Sequence, residues 1–125
     1  MPGRLRKLLG TRGERTAEAL LKKKGYTILE RNFRCASGEI DLVARDGDTL
    51  VFVEVKTRRD DRLADPADNV HQAKQVRLGR LARHWLARHN YPGRPCRFDA
   101  VAIVLPDGGG PPQVRHVVDA FTPRS

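Results

Sequence analysis

Apolar residues in the first half of the chain follow a helical period and then form three short runs. In residues 11–24, Ala17, Leu20 and Leu21 share one helical face, and Gly25 follows as a residue that ends helices. Turn residues separate the three apolar runs, which predicts a meander of three strands. These strands cover residues 26–33, 38–44 and 51–56.

The second half of the chain predicts one long amphipathic helix and two further strands. The helix covers residues 69–90, and its apolar face consists of Leu78, Leu81, Ala82, Trp85 and Leu86. The strands cover residues 97–105 and 114–118. Because a helix between the third and fourth strands is a typical crossover, we expect those two strands to be parallel. The expected fold is α/β, with a central mixed β-sheet flanked by helices in three layers.

The chain length limits the number of domains, and the net charge indicates the class of binding partner. At 125 residues the chain is expected to form a single domain, residues 1–125, in which residues 1–10 form a basic N-terminal arm. It has 24 Lys and Arg against 15 Asp and Glu, a formal net charge of +9. This balance favours a polyanionic partner, with nucleic acid as the first expectation. The alternative is an arginine-rich proteome, in which such a charge means only a soluble surface.

Neither a membrane nor zinc is expected. No run approaches the ~18 apolar residues of a membrane span, and no signal-peptide core follows the basic N-terminus, so we expect a cytoplasmic protein. Cys35 and Cys96 form no CxxC motif, and the four histidines lack metal-binding spacing. Residues 108–110 do not open a helix, so these glycines do not predict an organic cofactor.

Charged residues interrupt two neighbouring apolar strands. Asp41 lies within the second strand, and Glu54 and Lys56 lie within the third, on one face and about 7 Å apart. A charge in a strand that is buried on both faces needs a partner or a function. The alternative for Glu54 and Lys56 is a solvated face or a cross-strand ion pair.

These residue types suit metal-dependent phosphodiester cleavage. Mg²⁺ typically takes one or two carboxylates together with waters and substrate phosphate, and a nearby lysine orients or activates the attacking water. Asp41 and Glu54 are therefore candidate ligands for Mg²⁺, with Mn²⁺ as a substitute, and Lys56 is a candidate catalytic residue. Glu14 completes the acidic set if the first helix packs over the same sheet edge.

Other charged residues have two interpretations each. Glu39, on the same strand face as Asp41, is either a further ligand or ligand partner, or a carboxylate paired with Arg34 or Arg45. Glu18, one helical turn from Glu14, either assists the site or is a solvated helix acid. The candidate nucleic-acid-binding residues are Arg12, Arg15, Arg58, Arg59, Lys74 and Arg77. For those on the long helix, an exposed polar flank is the alternative.

The motifs also resemble known families. Asp41, followed by Glu54-Val55-Lys56 on the next strand, resembles the PD-(D/E)xK signature of the restriction-endonuclease-like superfamily. Residues 10–15 resemble the Gly-x-x-x-Glu-Arg start of archaeal Holliday-junction resolvases, whose helix acid corresponds to Glu14. More closely still, the chain resembles the uncharacterised YraN family over nearly its whole length. The blocks that carry this resemblance are residues 13–14, 38–42, 52–58, 97–99 and 119–121.

The resemblance implies a nuclease-like core with a Mg²⁺ site at Asp41 and Glu54, a catalytic Lys56 and an assisting Glu14. One departure is the sequence at residues 62–66, where family members usually have a Phe-Gly-x-Pro-like stretch; if this loop touches substrate, its preference differs. The expected function is a metal-dependent endonuclease that acts on DNA, including branched or junction structures. The alternatives are a non-catalytic nucleic-acid-binding module and a partner-regulated subunit, and resolvase-like relatives suggest a homodimer.

Overall fold

The computed structural model describes residues 3–59, 72–90, 94–106 and 108–122, which form two helices and five strands. In chain order these elements are α1 (Gly3–Lys23), β1 (Thr27–Cys35), β2 (Gly38–Asp46), β3 (Thr49–Arg58), α2 (Gln72–His89), β4 (Cys96–Val104) and β5 (Gln113–Phe121). The five strands form one sheet in the order β1-β2-β3-β4-β5. Among the described strands, β3 and β4 form the one parallel pair, and α2 lies between them in the chain. The predicted mixed sheet and its parallel crossover are confirmed.

The two helices pack on opposite faces of the sheet, each over its own apolar cluster. Ala17 and Leu21 of α1 join one cluster, whose sheet residues include Val51 and Val53 of β3. Leu81 and Trp85 of α2 join the other, together with Phe52. Successive residues of β3 therefore face different helices, as the alternation of a strand requires. This arrangement confirms the three-layer α/β fold of the restriction-endonuclease-like class.

Helix α1 begins at Gly3, eight residues before the predicted start, so residues 3–10 of the expected arm are helical. Arg, Leu and Lys predominate in this stretch, and they are strong helix formers. Gly10, at the end of the stretch, and Gly13, one turn later, are weak helix formers. Gly13 is instead required by packing: a Cβ there would overlap Thr57 Oγ1 and would lie 2.9 Å from Thr57 Cβ. α1 therefore crosses directly over the end of β3.

Strands β1 and β5, the two edges of the sheet, are longer than predicted and irregular. The pairing of β1 with β2 shifts register between Ile28 and Glu30. The pairing of β5 with β4 shifts at Phe98 and Ala100, and Asp119 of β5 has a φ of 55°. Such bulges bend an edge strand and interrupt its regular row of backbone groups.

A buried carboxylate joins β4 to β5, the edge strand opposite β1. Asp99 is fully buried and accepts hydrogen bonds from Arg97 Nε (3.0 Å) and the Asp119 backbone N–H (3.0 Å), with His116 Nε2 at 2.8 Å. This network anchors the two strands to each other through a single carboxylate. Within the described ranges, no helix has an apolar stretch long enough to cross a membrane. The departing sequence at residues 62–66 lies outside those ranges.

Candidate active site

Asp41 lies where two paired strands separate. The ladder between β2 and β3 ends at Leu42 and Val53. Beyond that pair, the backbone N–H of Val55 donates a hydrogen bond to Asp41 Oδ2 at 2.7 Å. The side chain of Asp41 thus takes the role that a backbone carbonyl would have in a continued ladder. This bond holds the carboxylate at the fork between β2 and β3.

Glu54 faces α2 and is held by a lysine of that helix. Its side chain is 13% exposed, and Glu54 Oε1 is ion-paired with Lys74 Nζ, whose side chain is 19% exposed. Glu54 follows Phe52 on the α2 side of the sheet, so its position agrees with the alternation predicted for the strand. Lys74 lies in the first turn of α2, which places that helix end over the fork.

Lys56 lies beside a second cation. Burial lowers the pKa of the Lys56 ammonium, and the positive charge of Lys74 lowers it further, against the opposing effect of Glu54. Arg58 also lowers this pKa, by a smaller amount. The group that we predicted as catalytic is therefore held in surroundings that make it release its proton more readily than an exposed lysine.

Asp41 has the opposite perturbation. Burial raises the pKa of the Asp41 carboxyl from 3.8 to about 7, and the negative charge of Glu54 contributes next. Glu14 and Glu39 raise it further, while the hydrogen bond from Val55 opposes the rise. Four carboxylates thus share one region of the molecule, where burial and the neighbouring negative charges disfavour ionisation of Asp41.

Glu14 reaches this region from α1 because Gly13 allows the close approach of that helix to β3. Burial raises the pKa of Glu14, and the charge of Glu39 raises it further. With its amide nitrogen turned toward the acids, Asn32 donates to Glu39 Oε1 (3.0 Å) and to Glu14 Oε2 (3.3 Å). Asn32 has a φ of 53°, a left-handed conformation that asparagine tolerates better than most residues.

The donor set fits a hard divalent cation. In the described part of the chain, no three His, Cys, Asp or Glu side chains come together as a metal-binding group. Asp41 and Glu54 nevertheless form a half-buried pair of like charges, in which burial, and after it the charge of Glu54, raises the pKa of Asp41. A cation between them would relieve that repulsion. Two carboxylates with waters and substrate phosphate are a sufficient ligand set for Mg²⁺.

The structure separates the remaining predicted residues into two groups. Glu18 is bound by Arg31 and by Lys22 (3.1 Å), and it lines a pocket with Glu14. Glu39 lies 3.4 Å from Arg34 Nε, the pairing that was its alternative interpretation. The exposed group consists of Arg12, Arg15, Arg58, Arg59 and Arg77. Lys74, predicted only to contact nucleic acid, is half-buried in the site itself.

Two residues of the site were not predicted in their observed roles. Lys74 is distant in sequence from Glu54, and only the placement of α2 brings them together. Asn32 links two acids from a position within β1, where the sequence shows an ordinary polar residue of an edge strand. The only available signal for Asn32 was its tolerance of left-handed backbone conformations.

The comparisons with known proteins agree with the resemblance to the YraN family. A family model described as "Uncharacterised protein family UPF0102" matches residues 13–103, a range that includes Glu14, Asp41, Glu54 and Lys56. A UPF0102 protein from Geotalea uraniireducens is 47% identical over 115 residues, covering 92% of this chain and 90% of the relative. One from Arthrobacter sp. is 47% identical over 114 residues, covering 91% and 96%. One from Moorella thermoacetica is 48% identical over 100 residues, covering 80% and 83%.

Proposed function

We propose that this chain, which belongs to the uncharacterised protein family UPF0102, is a metal-dependent endonuclease that hydrolyses phosphodiester bonds in DNA. One observation carries the proposal: Asp41, Glu54 and Lys56 converge at the fork of β2 and β3, where each has a half-buried side chain. A buried group of two acids and a lysine costs free energy unless it binds or reacts with something. Branched or junction DNA is the substrate that the resolvase-like motif favours.

Each residue has a definite chemical task in this reaction. Asp41 and Glu54 would hold Mg²⁺, and Val55 N–H keeps the Asp41 carboxylate in place. The bound metal would supply positive charge to the phosphate and to the departing oxygen. Lys56, with its lowered pKa, accepts a proton from the attacking water as the new P–O bond forms and the old one breaks. Glu14 enters from α1 and adds to the negative charge that attracts the cation.

Lys74 has to change partner before this site can work. Its ammonium occupies the Glu54 carboxylate that the metal requires. With Glu54 engaged by a divalent cation, the Lys74 ammonium would be free to face the substrate phosphate beside Lys56. The site would then offer the Lys74 ammonium to the phosphate while Lys56 acts on the attacking water, and positive charge beside the phosphate is what phosphoryl transfer needs.

The test compares cleavage by the wild-type protein, Asp41→Asn and the matched control Asp48→Asn. Asp48 lies in the exposed turn before β3, and its substitution makes the same change of charge. We expect labelled flap or four-way-junction DNA to be cut with Mg²⁺ or Mn²⁺ by the wild-type and control proteins, and not by Asp41→Asn. Undiminished cutting by folded Asp41→Asn would exclude Asp41 as a ligand, and resistance of cutting to EDTA would exclude metal dependence.

A second candidate function is a nucleic-acid-binding module without catalysis. The ion pair between Lys74 and Glu54 favours it, because that pair satisfies Glu54 without a metal. Titration calorimetry separates the two functions. If the protein is a metal-dependent endonuclease, the wild-type protein should bind Mn²⁺ and Asp41→Asn should not. Salt-sensitive DNA binding with no Mn²⁺ binding and no cleavage would identify the module instead.

A further inference from the structure

Helix α2 carries a one-sided charge distribution that its role in the core does not explain. Its 18 residues include five Lys or Arg and no Asp or Glu. Like charges three or four residues apart destabilise a helix, and acids at those spacings would have stabilised it. The side facing the sheet is apolar, with Leu78, Leu81, Ala82 and Trp85 buried. The opposite side of α2 therefore carries positive charge that no acidic residue of the same helix offsets.

Four arginines define this surface, which we name the arginine ridge: Arg77, Arg80, Arg83 and Arg88. All four are exposed, and within the described ranges none of them forms a salt bridge. Spacings of three, eight and eleven residues keep Arg77, Arg80 and Arg88 along one stripe, with Arg83 beside it. From Arg77 to Arg88 the stripe is about 16 Å long.

Two of these arginines are positioned by contacts that do not involve an acid. The Cδ of Arg77 lies beside Gly38, where an added Cβ would be 3.4 Å away. The guanidinium of Arg88 lies 5.5 Å from the centre of the Phe33 ring. Such contacts restrict the side chain while its N–H groups remain available, and little further entropy is lost when an anion binds. Arg80 and Arg83, between these two, line a surface pocket with His84.

The ridge runs directly away from the candidate active site. Lys74, one turn before Arg77 on the same helix, is ion-paired with Glu54. A polyanion that lay along the ridge would therefore reach the fork at the N-terminal end of α2. A membrane surface fits less well, because an interfacial helix inserts an apolar face and the apolar face of α2 is already buried in the core.

We infer that the arginine ridge binds the phosphate backbone of a nucleic-acid strand and leads it to the fork at Asp41 and Glu54. This inference rests on the proposed function for the identity of the site, and it deepens that function by assigning the substrate-binding surface. Guanidinium groups suit phosphate because their N–H groups can bind two oxygens at once. The contacts are with the backbone, so the ridge contributes affinity and orientation and no preference for base sequence.

The test measures DNA binding as a function of salt in two double variants with equal charge change. Arg80→Gln/Arg83→Gln alters the ridge, and Lys23→Gln/Arg115→Gln alters two exposed cations on other elements. Fluorescence anisotropy with a labelled duplex is recorded in EDTA and in the Asp41→Asn background, so no cleavage interferes. Circular dichroism confirms that each variant is folded.

We expect the ridge variant to reduce the slope of log affinity against log salt by about 2, since each lost phosphate contact contributes about 0.9 on a duplex. The control should change the slope by less than half as much. Equal changes in both variants, or none in the ridge variant, would overturn the inference. It would also be overturned if vesicles containing phosphatidylserine bound more tightly than DNA and depended on the same arginines. Ridge-dependent binding together with an inactive wild-type protein would refute only the proposed function.

Discussion

Replacing Asp41 with asparagine should stabilise the protein in alkaline solution. The side-chain oxygen of asparagine can still accept the hydrogen bond from Val55 N–H, while the negative charge next to Glu54 is removed. The pKa of Asp41 is raised from 3.8 to about 7 on folding. Between these values the folded chain keeps a proton that the unfolded chain releases, so ionising the carboxyl costs folding free energy as the pH rises.

The size of this cost follows from the same pKa difference. A rise from 3.8 to about 7 corresponds to about 4 kcal/mol at a pH above both values. Water reaches the half-buried carboxylate and screens part of the repulsion, so we expect a measured effect of about 2 to 4 kcal/mol. The contribution of the group to stability is fully present below about pH 4 and is lost as the pH rises through 7.

Urea unfolding of the wild-type protein and Asp41→Asn at several pH values would measure this difference. The two proteins should have nearly equal free energies of unfolding at pH 4, and Asp41→Asn should be more stable at pH 8. If Asp41 and Glu54 hold Mg²⁺ as proposed, saturating Mg²⁺ should stabilise the wild-type protein at pH 8 and leave Asp41→Asn unchanged, because an ion that binds only the native state stabilises it. A constant difference at every pH would refute the electrostatic reasoning.

Three further substitutions test other parts of the structure. Asp99→Ala should lower the free energy of unfolding by about 3 to 5 kcal/mol in urea, because it removes the buried carboxylate beside His116 and leaves Arg97 with Asp46 as its remaining salt-bridge partner among the described residues; a loss below 1 kcal/mol would contradict that role. Gly13→Ala should lower the free energy of unfolding by about 1 to 3 kcal/mol despite the better helix propensity of alanine, because the added methyl group would overlap Thr57. Adding Thr57→Ala should restore part of that loss. A Gly13→Ala variant more stable than the wild-type protein would contradict the close contact between α1 and β3. Lys74→Gln should tighten Mn²⁺ binding about tenfold in calorimetry, since the ion no longer competes with an ammonium for Glu54; weaker binding would argue that Lys74 supports the metal.

The fold and the positions of Asp41, Glu54 and Lys56 could be predicted because they depend on short-range sequence patterns. Alternation along β3 separates Val53 from Glu54, and it puts Lys56 on the face of Glu54 whatever the rest of the chain does. The hairpin between β2 and β3 is short, so Asp41 and Glu54 had to be neighbours once the strands were recognised. The length and apolar face of α2 likewise followed from its period, and its crossover position implied the parallel pair.

The remaining features depend on contacts between segments distant in sequence. Lys74 meets Glu54 only because α2 docks with its first turn over the fork, a position that no periodicity specifies. Gly13 is unfavourable for a helix by propensity, and the reason for a glycine at this position is evident only from its close contact with Thr57. The bridge from Asn32 to two acids requires a left-handed residue inside a strand, which a strand pattern does not predict.

The irregular edges of the sheet have a consequence for self-association. A regular edge strand offers a free row of backbone donors and acceptors that a second copy can extend into a continuous sheet or a fibril. Here, a copy that added to β5 would meet Asp119, whose N–H is already committed to buried Asp99. A copy that added to β1 would have to straighten the bulge at Ile28 and Glu30. Both routes to backbone polymerisation are therefore costly, which would protect a cationic protein from aggregating where a polyanion concentrates it.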